Sequence, residues 1–196
     1  RSLYRLAIDT GLRQGELLAL QWGDINLERG ILMVTRNLTG SRAEYDDAGN
    51  KIAGALQFTT PKTKAGVRIV PFPLASAEAL RNQQAYVDQL RDAATTWTEH
   101  DLVFPSRVRT PLTPTNVGNR FRQRREAAGI PDAVFHSFRH TATSRLMLDN
   151  IPHPIAMALL GHKNIDTTML YTHASEEKLI ETMRAYFETK TDPEDA

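Results

Sequence analysis

The chain has 196 residues, of which 41% are hydrophobic and 24% charged, and this composition is that of a folded globular domain rather than a disordered segment. It contains no cysteine, which excludes a disulfide scaffold and any cysteine-ligated zinc or iron–sulfur site. Lysine and arginine number 24 against 23 aspartates and glutamates, so any affinity for nucleic acid must come from local clustering of charge. No apolar run is long enough to span a membrane and no segment resembles a signal peptide, so we expect a soluble cytoplasmic protein.

The first predicted elements are two short helices. Apolar residues recur at helical spacing from Leu3 to Thr10, and Gly11 follows as a helix stop. A second helix is predicted over residues 14–21. Because the sequence opens inside this amphipathic pattern and does not begin with methionine, we expect that further residues precede Arg1 in a longer protein.

The hydrophobic period then changes to that of strands. Residues 30–35, 56–60 and 67–72 are predicted to form three strands of one small antiparallel sheet. Residues 62–66 form the predicted turn between the second and third strands. The polar residues 37–55 are predicted to be a loop or a long hairpin tip inserted between the first and second strands.

The remainder of the chain is predicted to be helical. Helices are expected to begin at Leu74, Thr113, Ser137, Pro154 and Ser175, with Thr113 as an N-cap followed by a proline. The resulting fold class is α+β, a mainly helical domain over residues 1–188 with a three-stranded antiparallel sheet. A polar, acidic tail follows at residues 189–196.

Four short stretches carry the side chains that can do chemistry. They are the Thr-Gly-Leu-Arg-Gln-Gly-Glu run with Arg13 and Glu16, the turn with Lys62 and Lys64 before Arg68, the His-Ser-Phe-Arg-His run with His136, Arg139 and His140, and the Leu-Gly-His run with His162, nine residues before Tyr171. None of these four stretches contains a pair of carboxylates. A cationic set with one latent oxygen nucleophile suits a site that holds a phosphate and attacks it.

Phosphodiester chemistry needs these residue types. The transition state concentrates negative charge on the non-bridging oxygens, and an arginine fork binds two such oxygens at once. Tyrosine has a pKa of about 10, so it needs a neighbouring base such as histidine. The leaving alkoxide needs a proton that a turn lysine can deliver, and a metal ion is unnecessary if the two guanidinium groups stabilise the transition state. Attack by tyrosine gives a covalent phosphotyrosine, which a second hydroxyl can reverse without ATP.

Taken together in this order and spacing, the four stretches resemble the catalytic domain of the tyrosine recombinases, the phage-integrase family. The resemblance extends over nearly the whole chain. The first arginine of the family corresponds to Arg13, and its His-x-x-Arg pair corresponds to His136 and Arg139. Its Leu-Gly-His motif ends at His162, and its nucleophile corresponds to Tyr171.

The resemblance implies a role for each of these residues. Arg13 and Arg139 would bind the scissile phosphate, and Tyr171 would attack it to leave a 3′-phosphotyrosine. His136 would orient the site and assist proton transfer, while His162 would donate to a non-bridging oxygen. No metal ion and no cofactor is implied.

The lysine of the family lies on a β-hairpin turn, and here the turn offers both Lys62 and Lys64. We favour Lys62, from its spacing to Pro71, as the general acid that protonates the 5′-hydroxyl leaving group. Phe138 stands where the family usually has leucine, which we interpret as a change within the core.

The family also implies the biology and the partners. We expect a site-specific recombinase that integrates or excises a phage or another mobile element, binds double-stranded DNA, and acts as a homo-tetramer on DNA. Host or directionality proteins would assist it, and an N-terminal core-binding domain of the family is absent from this chain.

The last helix, with the apolar stripe Leu179, Ile180, Met183 and Phe187, is expected to pack on a neighbouring protomer. The alternative is that it folds back on its own domain.

Other functions use some of the same residues. A type IB topoisomerase makes the same covalent link without a partner protomer. A DNA-binding protein could use the helices from Ser137 to Thr172 without catalysis. A metal-dependent phosphodiesterase is the third alternative, since His136 and His140 have the i,i+4 spacing of metal ligands.

Individual residues also have plainer interpretations. Arg13 could form a surface ion pair with Glu16 one turn later. His162 could be a helix C-terminal residue, and Tyr171 could be a core aromatic. A dense basic run could be either a solvated helix face or a phosphate-contacting face; it consists of Arg120, Arg122, Arg124 and Arg125.

Overall fold

The computed structural model describes residues 1–40, 44–45, 51–52, 55–61, 66–95, 100–108, 110–161 and 173–190. The helices are α1 (Ser2–Thr10), α2 (Gln14–Leu18), α3 (Leu74–Asp92), α4 (Pro114–Ala127), α5 (Ser137–Leu148), α6 (His153–Leu160) and α7 (His173–Glu188). The strands are β1 (Ile25–Asn26), β2 (Ile31–Val34), β3 (Asn37–Gly40), β4 (Glu44–Tyr45), β5 (Lys51–Ile52), β6 (Leu56–Thr59) and β7 (Arg68–Pro71). The predicted fold class, mainly helical with a small antiparallel sheet, is confirmed. None of these helices is both long and apolar enough to cross a membrane.

The end of α1 is shaped by a glycine. Gly11 adopts a left-handed conformation with φ 62°, as the predicted helix stop requires. A Cβ at this position would lie 3.0 Å from the Leu160 side chain and 3.1 Å from Ala142. Only glycine therefore lets α1 end this close to α5 and α6.

Helix α2 is shorter than predicted, because it ends at Leu18 and not at residue 21. The next residues leave the helix to pair with a distant segment. The Val103 N–H donates to the Leu20 carbonyl at 3.0 Å, and Gln21 forms an isolated bridge with Leu102. A long-range pairing has replaced the last helical turn here.

The three-stranded sheet exists, but its members differ from the prediction. Its order is β1-β2-β7, and β6 pairs instead with β3, which lies in the segment predicted to be a loop or hairpin tip. The extended segment that begins at Ile31 pairs first with β7, as far as Val34 opposite Arg68. From Asn37, opposite Thr59, it pairs with β6 instead. Burial explains the unpredicted strand, because the single apolar residue Leu38 is buried against α2 and α4.

The main core lies between the first helices and the sheet. Buried leucines of α1 and α2 pack against β2, β7 and α3, with Val103 and Phe104 completing the cluster. An aromatic group joins α1 and α4 to the start of α5, with neighbouring ring centroids 5.1–6.2 Å apart. Its members are Tyr4, Phe121, Phe135 and Phe138.

The last helix folds back on its own chain. Leu179, Ile180 and Met183 are 6%, 7% and 2% exposed and pack with residues of α5 and α6. Asp149, just beyond α5, accepts hydrogen bonds from the Tyr186 hydroxyl at 2.9 Å and from the Lys190 ammonium at 2.7 Å. The stripe that was predicted to pack on a neighbouring protomer is thus buried within its own domain, against β7 and the facing residues of α5 and α6, which is the alternative packing.

Candidate active site

Arg13 lies at the start of α2 and is held by Glu16. The Arg13 backbone N–H donates to Glu16 Oε2 at 2.9 Å, and its Nη1 donates to Oε1 at 2.9 Å. A third bond runs from Nη2 to the Gly161 carbonyl at 3.4 Å. The Arg13 side chain is 45% exposed, so its remaining donors can reach a ligand. The predicted ion pair is formed, but it is not a simple surface pair, since Glu16 is 7% exposed.

Arg139, on α5, is the buried member of the arginine pair, with an exposed fraction of 5%. Its Nη1 donates to the Gly11 carbonyl at 2.9 Å, and its Nη2 donates to the Leu160 carbonyl. Burial, followed by the charges of Arg13 and Arg68, lowers the pKa of Arg139 to about 10. The guanidinium is still charged at neutral pH.

The C-terminal turn of α6 brings the two arginines together. The Leu160 carbonyl accepts from Arg139, and the next carbonyl along the chain, that of Gly161, accepts from Arg13. Carbonyls at a helix C-terminus lack intrahelical partners and carry the negative end of the helix dipole, so they attract guanidinium groups. Gly161 ends the helix at φ 63°, as predicted, although the helix begins at His153, one residue before the predicted start. The two predicted phosphate-binding arginines therefore converge on one turn.

His136 immediately precedes α5, three residues before Arg139. Its exposed ring meets His140 edge to face, with ring centroids 4.8 Å apart. Desolvation lowers the pKa of His136, and the positive charges of His140, Arg139 and Arg13 lower it further. The imidazole is therefore neutral at pH 7 and can accept a proton. Among the residues that the structure describes, no three histidine, aspartate or glutamate side chains converge on a possible metal position.

Phe138 fits the interpretation of a core change. It is partly buried in the aromatic group with Tyr4, Phe121 and Phe135. The aromatic packing fixes the first turn of α5, which carries Arg139 and begins next to His136.

The other predicted site residues, Lys62, Lys64, His162 and Tyr171, lie outside the described residues. Their immediate neighbours can be placed for two of the motifs. A Cβ on Gly66 would lie 2.3 Å from Pro61 Cβ, so the two ends of the lysine-bearing segment touch. Gly161, which contacts Arg13, directly precedes His162 in the sequence.

Two charged residues of the site were not assigned a role from the sequence. Glu16 appeared only as a partner for Arg13, and Arg68 only as a marker after the lysine turn. Arg68 donates to both carboxylate oxygens of Glu16, at 3.1 and 2.9 Å. Burial raises the pKa of Glu16, but the hydrogen bonds and charge of Arg68 and the bonds from Arg13 outweigh it and hold that pKa below its usual value. The signal in the sequence was a lone charged residue, Arg68, in an apolar strand.

The four arginines of α4 differ in exposure: three are exposed and Arg125 is partly buried. Arg120 and Arg122 are exposed, and Arg124 is exposed with its guanidinium carbon 5.1 Å from the Tyr4 ring centroid. Arg125 is partly buried and donates to the Ala133 carbonyl. Most of the run is thus available to an anion, while Arg125 holds the loop before α5.

Comparison with known proteins is consistent with this geometry. The family model described as "Phage integrase family" matches residues 1–178. The tyrosine recombinase XerC-like protein of Caldanaerobacter subterraneus subsp. tengcongensis is 32% identical over 95% of this chain and 49% of its own length. The prophage integrase IntR of Escherichia coli K12 is 29% identical over 83% of this chain and 40% of its own length. The chain spans about half the length of the curated relatives it matches.

Solved structures share the fold. The Tn1549 transposon integrase in complex with a circular intermediate DNA matches with a TM-score of 0.64 at 20% identity, over 93% of this chain and 58% of that one. The XerA recombinase matches with a TM-score of 0.61 at 22% identity, over 93% of this chain and 55% of that one. The family match covers both arginine motifs that the structure brings to one helix end, and the chain belongs to the phage integrase family.

Proposed function

We propose that this chain is the catalytic domain of a site-specific DNA recombinase that cleaves and rejoins DNA through a 3′-phosphotyrosine. One observation carries the proposal. Arg13 and Arg139, distant in sequence, donate to successive carbonyls at the end of α6, beside the neutral His136. Two fixed guanidinium groups next to a proton acceptor suit an anionic phosphate that gains charge in its transition state.

In the proposed cleavage step, the Tyr171 hydroxyl attacks the scissile phosphorus and the bond to the 5′-oxygen breaks. Arg13 and Arg139 bind the non-bridging oxygens, His136 assists removal of the tyrosine proton, and His162 donates to a non-bridging oxygen. The 5′-oxygen leaves with a proton from the general acid. No water and no ATP is consumed, so a second 5′-hydroxyl can attack the phosphotyrosine and reseal the strand.

The general acid is proposed to be Lys62, with Lys64 as the alternative on the same segment. The contact between Pro61 and Gly66 supports this role, because it brings the two ends of the lysine-bearing segment together. Lysine is protonated at neutral pH and can deliver the proton that the leaving alkoxide requires.

The partners follow from the same chemistry. Double-stranded DNA is the proposed substrate, and the exposed arginines of α4 together with exposed Arg13 support it. The whole protein is proposed to act as a homo-tetramer on DNA in the host cytoplasm, with accessory proteins, during integration or excision of a phage or other mobile element. Residues 1–188 form the proposed catalytic domain and residues 189–196 a polar tail. In the family a core-binding domain provides the other half of the DNA clamp.

The experiment that tests the proposal is covalent capture from a pool of nicked duplexes with a randomised segment. The nick lets the short cleaved fragment dissociate, so that the phosphotyrosine complex accumulates. We expect a covalent protein–DNA band that maps to Tyr171, and sequencing of the captured DNA then supplies the target site. Tyr171→Phe keeps the ring and removes only the nucleophilic oxygen, so it should bind the same DNA without forming the band.

The same capture separates the alternative functions. Cleavage that persists in excess EDTA excludes a metal-dependent phosphodiesterase. DNA binding without a covalent band indicates a non-catalytic binding protein and refutes the proposal. Relaxation of a plasmid without the captured site, linear in protein concentration, indicates a type IB topoisomerase activity instead.

A further inference from the structure

Arg68 is a buried arginine outside the set of residues assigned to phosphate binding. It lies at the start of β7, and its side chain is 6% exposed. Its Nη1 and Nη2 donate to the two carboxylate oxygens of Glu16 at 3.1 and 2.9 Å, in the two-pronged geometry that fixes both groups most firmly.

The remaining bonds of Arg68 reach two other parts of the site. Its Nε donates to the Leu159 carbonyl at 2.7 Å, and its Nη1 also donates to the Gly66 carbonyl at 3.3 Å. These four hydrogen bonds use four of the five N–H donors of the guanidinium. Arg68 is therefore committed to protein groups and does not serve as a third phosphate ligand.

Glu16 connects Arg68 to Arg13, because its carboxylate accepts hydrogen bonds from both residues. Glu16 Oε1 accepts from Arg13 Nη1 at 2.9 Å and from Arg68 Nη1 at 3.1 Å. Glu16 Oε2 accepts from the Arg13 backbone N–H at 2.9 Å and from Arg68 Nη2 at 2.9 Å. Without the fork of Arg68, the Glu16 carboxylate would be held only by Arg13 itself, so the Arg13 guanidinium would lose a fixed partner.

Three successive carbonyls at the end of α6 complete the connection. Those of Leu159, Leu160 and Gly161 accept from Arg68, Arg139 and Arg13, respectively. A Cβ on Gly161 would lie 3.0–3.2 Å from the Arg68 guanidinium, so the two groups pack tightly. Arg68 thus fixes both the carboxylate and the helix end that hold Arg13.

We infer that Arg68 is a positioning residue for strand cleavage, which acts by aligning the Arg13 guanidinium with the scissile phosphate. The inference rests on the proposed function. Arg68 contacts Glu16 of the Arg13 motif, Gly66 at the end of the lysine turn and Leu159 just before the Leu-Gly-His motif, so one side chain connects three motifs.

The test measures single-turnover cleavage of the captured, nicked duplex at saturating protein. Arg68→Lys keeps the charge but loses the fork, so we expect cleavage to slow about 10- to 100-fold because a small misplacement of a reacting group is costly. The Kd for the same DNA should stay unchanged. Arg36→Lys is the matched control, since Arg36 forms a partly buried pair with Asp24 at 3.0 Å away from the site, and it should cleave like the wild type.

A second measurement separates positioning from a general structural effect. In a duplex whose scissile phosphate is a methylphosphonate, a methyl group replaces one charged oxygen. The transition state then carries less negative charge, so the cleavage rate depends less on Arg13. On this duplex, the fold loss of cleavage rate caused by Arg68→Lys should be smaller than on ordinary DNA. The fold loss caused by Arg13→Ala should decrease in the same proportion. In the Arg13→Ala background, Arg68→Lys should add little further loss, because the two changes remove the same alignment.

The outcomes are distinct. Absence of a covalent complex with the wild-type chain overturns the proposed function and this inference with it. With an active wild type, unchanged cleavage by Arg68→Lys, an equal loss on both duplexes, or full additivity with Arg13→Ala overturns the inference alone. If thermal denaturation shows that Arg68→Lys is unfolded, the double variant Glu16→Gln/Arg68→Met is measured instead, because it removes both buried charges together. Wild-type cleavage by that variant would also overturn the inference.

Discussion

Arg139 Nη1 lies 2.9 Å from the carbonyl oxygen of Gly11, although 128 residues separate them along the chain. Gly11 stands two positions before Arg13, so this bond ties the second arginine motif to the first. The left-handed end of α1 leaves the Gly11 carbonyl without an intrahelical donor, and Arg139 supplies one. The Gly11 carbonyl of the first arginine motif therefore helps to hold the Arg139 guanidinium of the second motif in place.

Arg139→Lys should retain DNA binding and lose most of its cleavage activity. Lysine has no planar fork, so it cannot satisfy the Gly11 and Leu160 carbonyls and still present donors to a phosphate. We expect single-turnover cleavage to fall about 100- to 1,000-fold, the usual loss for one preorganised donor. Arg145→Lys, an exposed change on the same helix, is the control and should leave the rate unchanged. An equally active Arg139→Lys variant would show that this guanidinium does not contact the transition state.

The general acid can be identified with a substrate that does not need one. Lys62→Ala should slow cleavage of ordinary DNA, and a 5′-bridging phosphorothiolate should restore its rate because a thiolate leaves without a proton. Both rates are measured on nicked duplexes of the captured sequence. Rescue of Lys64→Ala, with no rescue of Lys62→Ala, would assign the role to Lys64.

Glu16→Gln should destabilise the chain in a pH-dependent way. The folded-state pKa of Glu16 lies below its usual value of 4.5, so the ionised carboxylate stabilises the fold at neutral pH, and this contribution is lost as the pH falls through the folded pKa. Removing one partner of a buried ion pair costs about 3–5 kcal/mol. Urea denaturation should therefore show a large difference between the wild type and the variant at neutral pH. The difference should shrink well below pH 4.5, and a constant one would contradict the role of the charge.

Met183→Ala should destabilise the monomeric chain by about 2–5 kcal/mol, the usual cost of truncating a buried methionine. Met183 is 2% exposed within the cluster formed by α5, α6 and α7. Urea denaturation at several protein concentrations provides the measurement. If the destabilisation appeared only at concentrations where the chain self-associates, α7 would dock on a second copy rather than on its own domain. Arg184→Ala, an exposed change on the same helix, is the matched control.

Local patterns in the sequence determined the helices, the helix stops and the identity of the arginine and histidine motifs. Gly11 and Gly161 end their helices where predicted, because a left-handed terminus is a property of a few neighbouring residues. His136 and Arg139 were likewise identified from the sequence, through the resemblance of their motif to the family's His-x-x-Arg pair, since both lie within one helical turn and its preceding residue.

Tertiary structure decided which segments meet. The change of strand partner after Val34, the burial of α7 on its own domain and the four bonds of Arg68 all join residues that are distant in sequence. Arg68 has the local signature of any charged residue in a strand, and only packing against Glu16 and Leu159 makes it part of the site. Composition and spacing fix which groups are present, whereas burial fixes their partners, because a desolvated charge must be neutralised by whatever the fold brings within hydrogen-bonding distance.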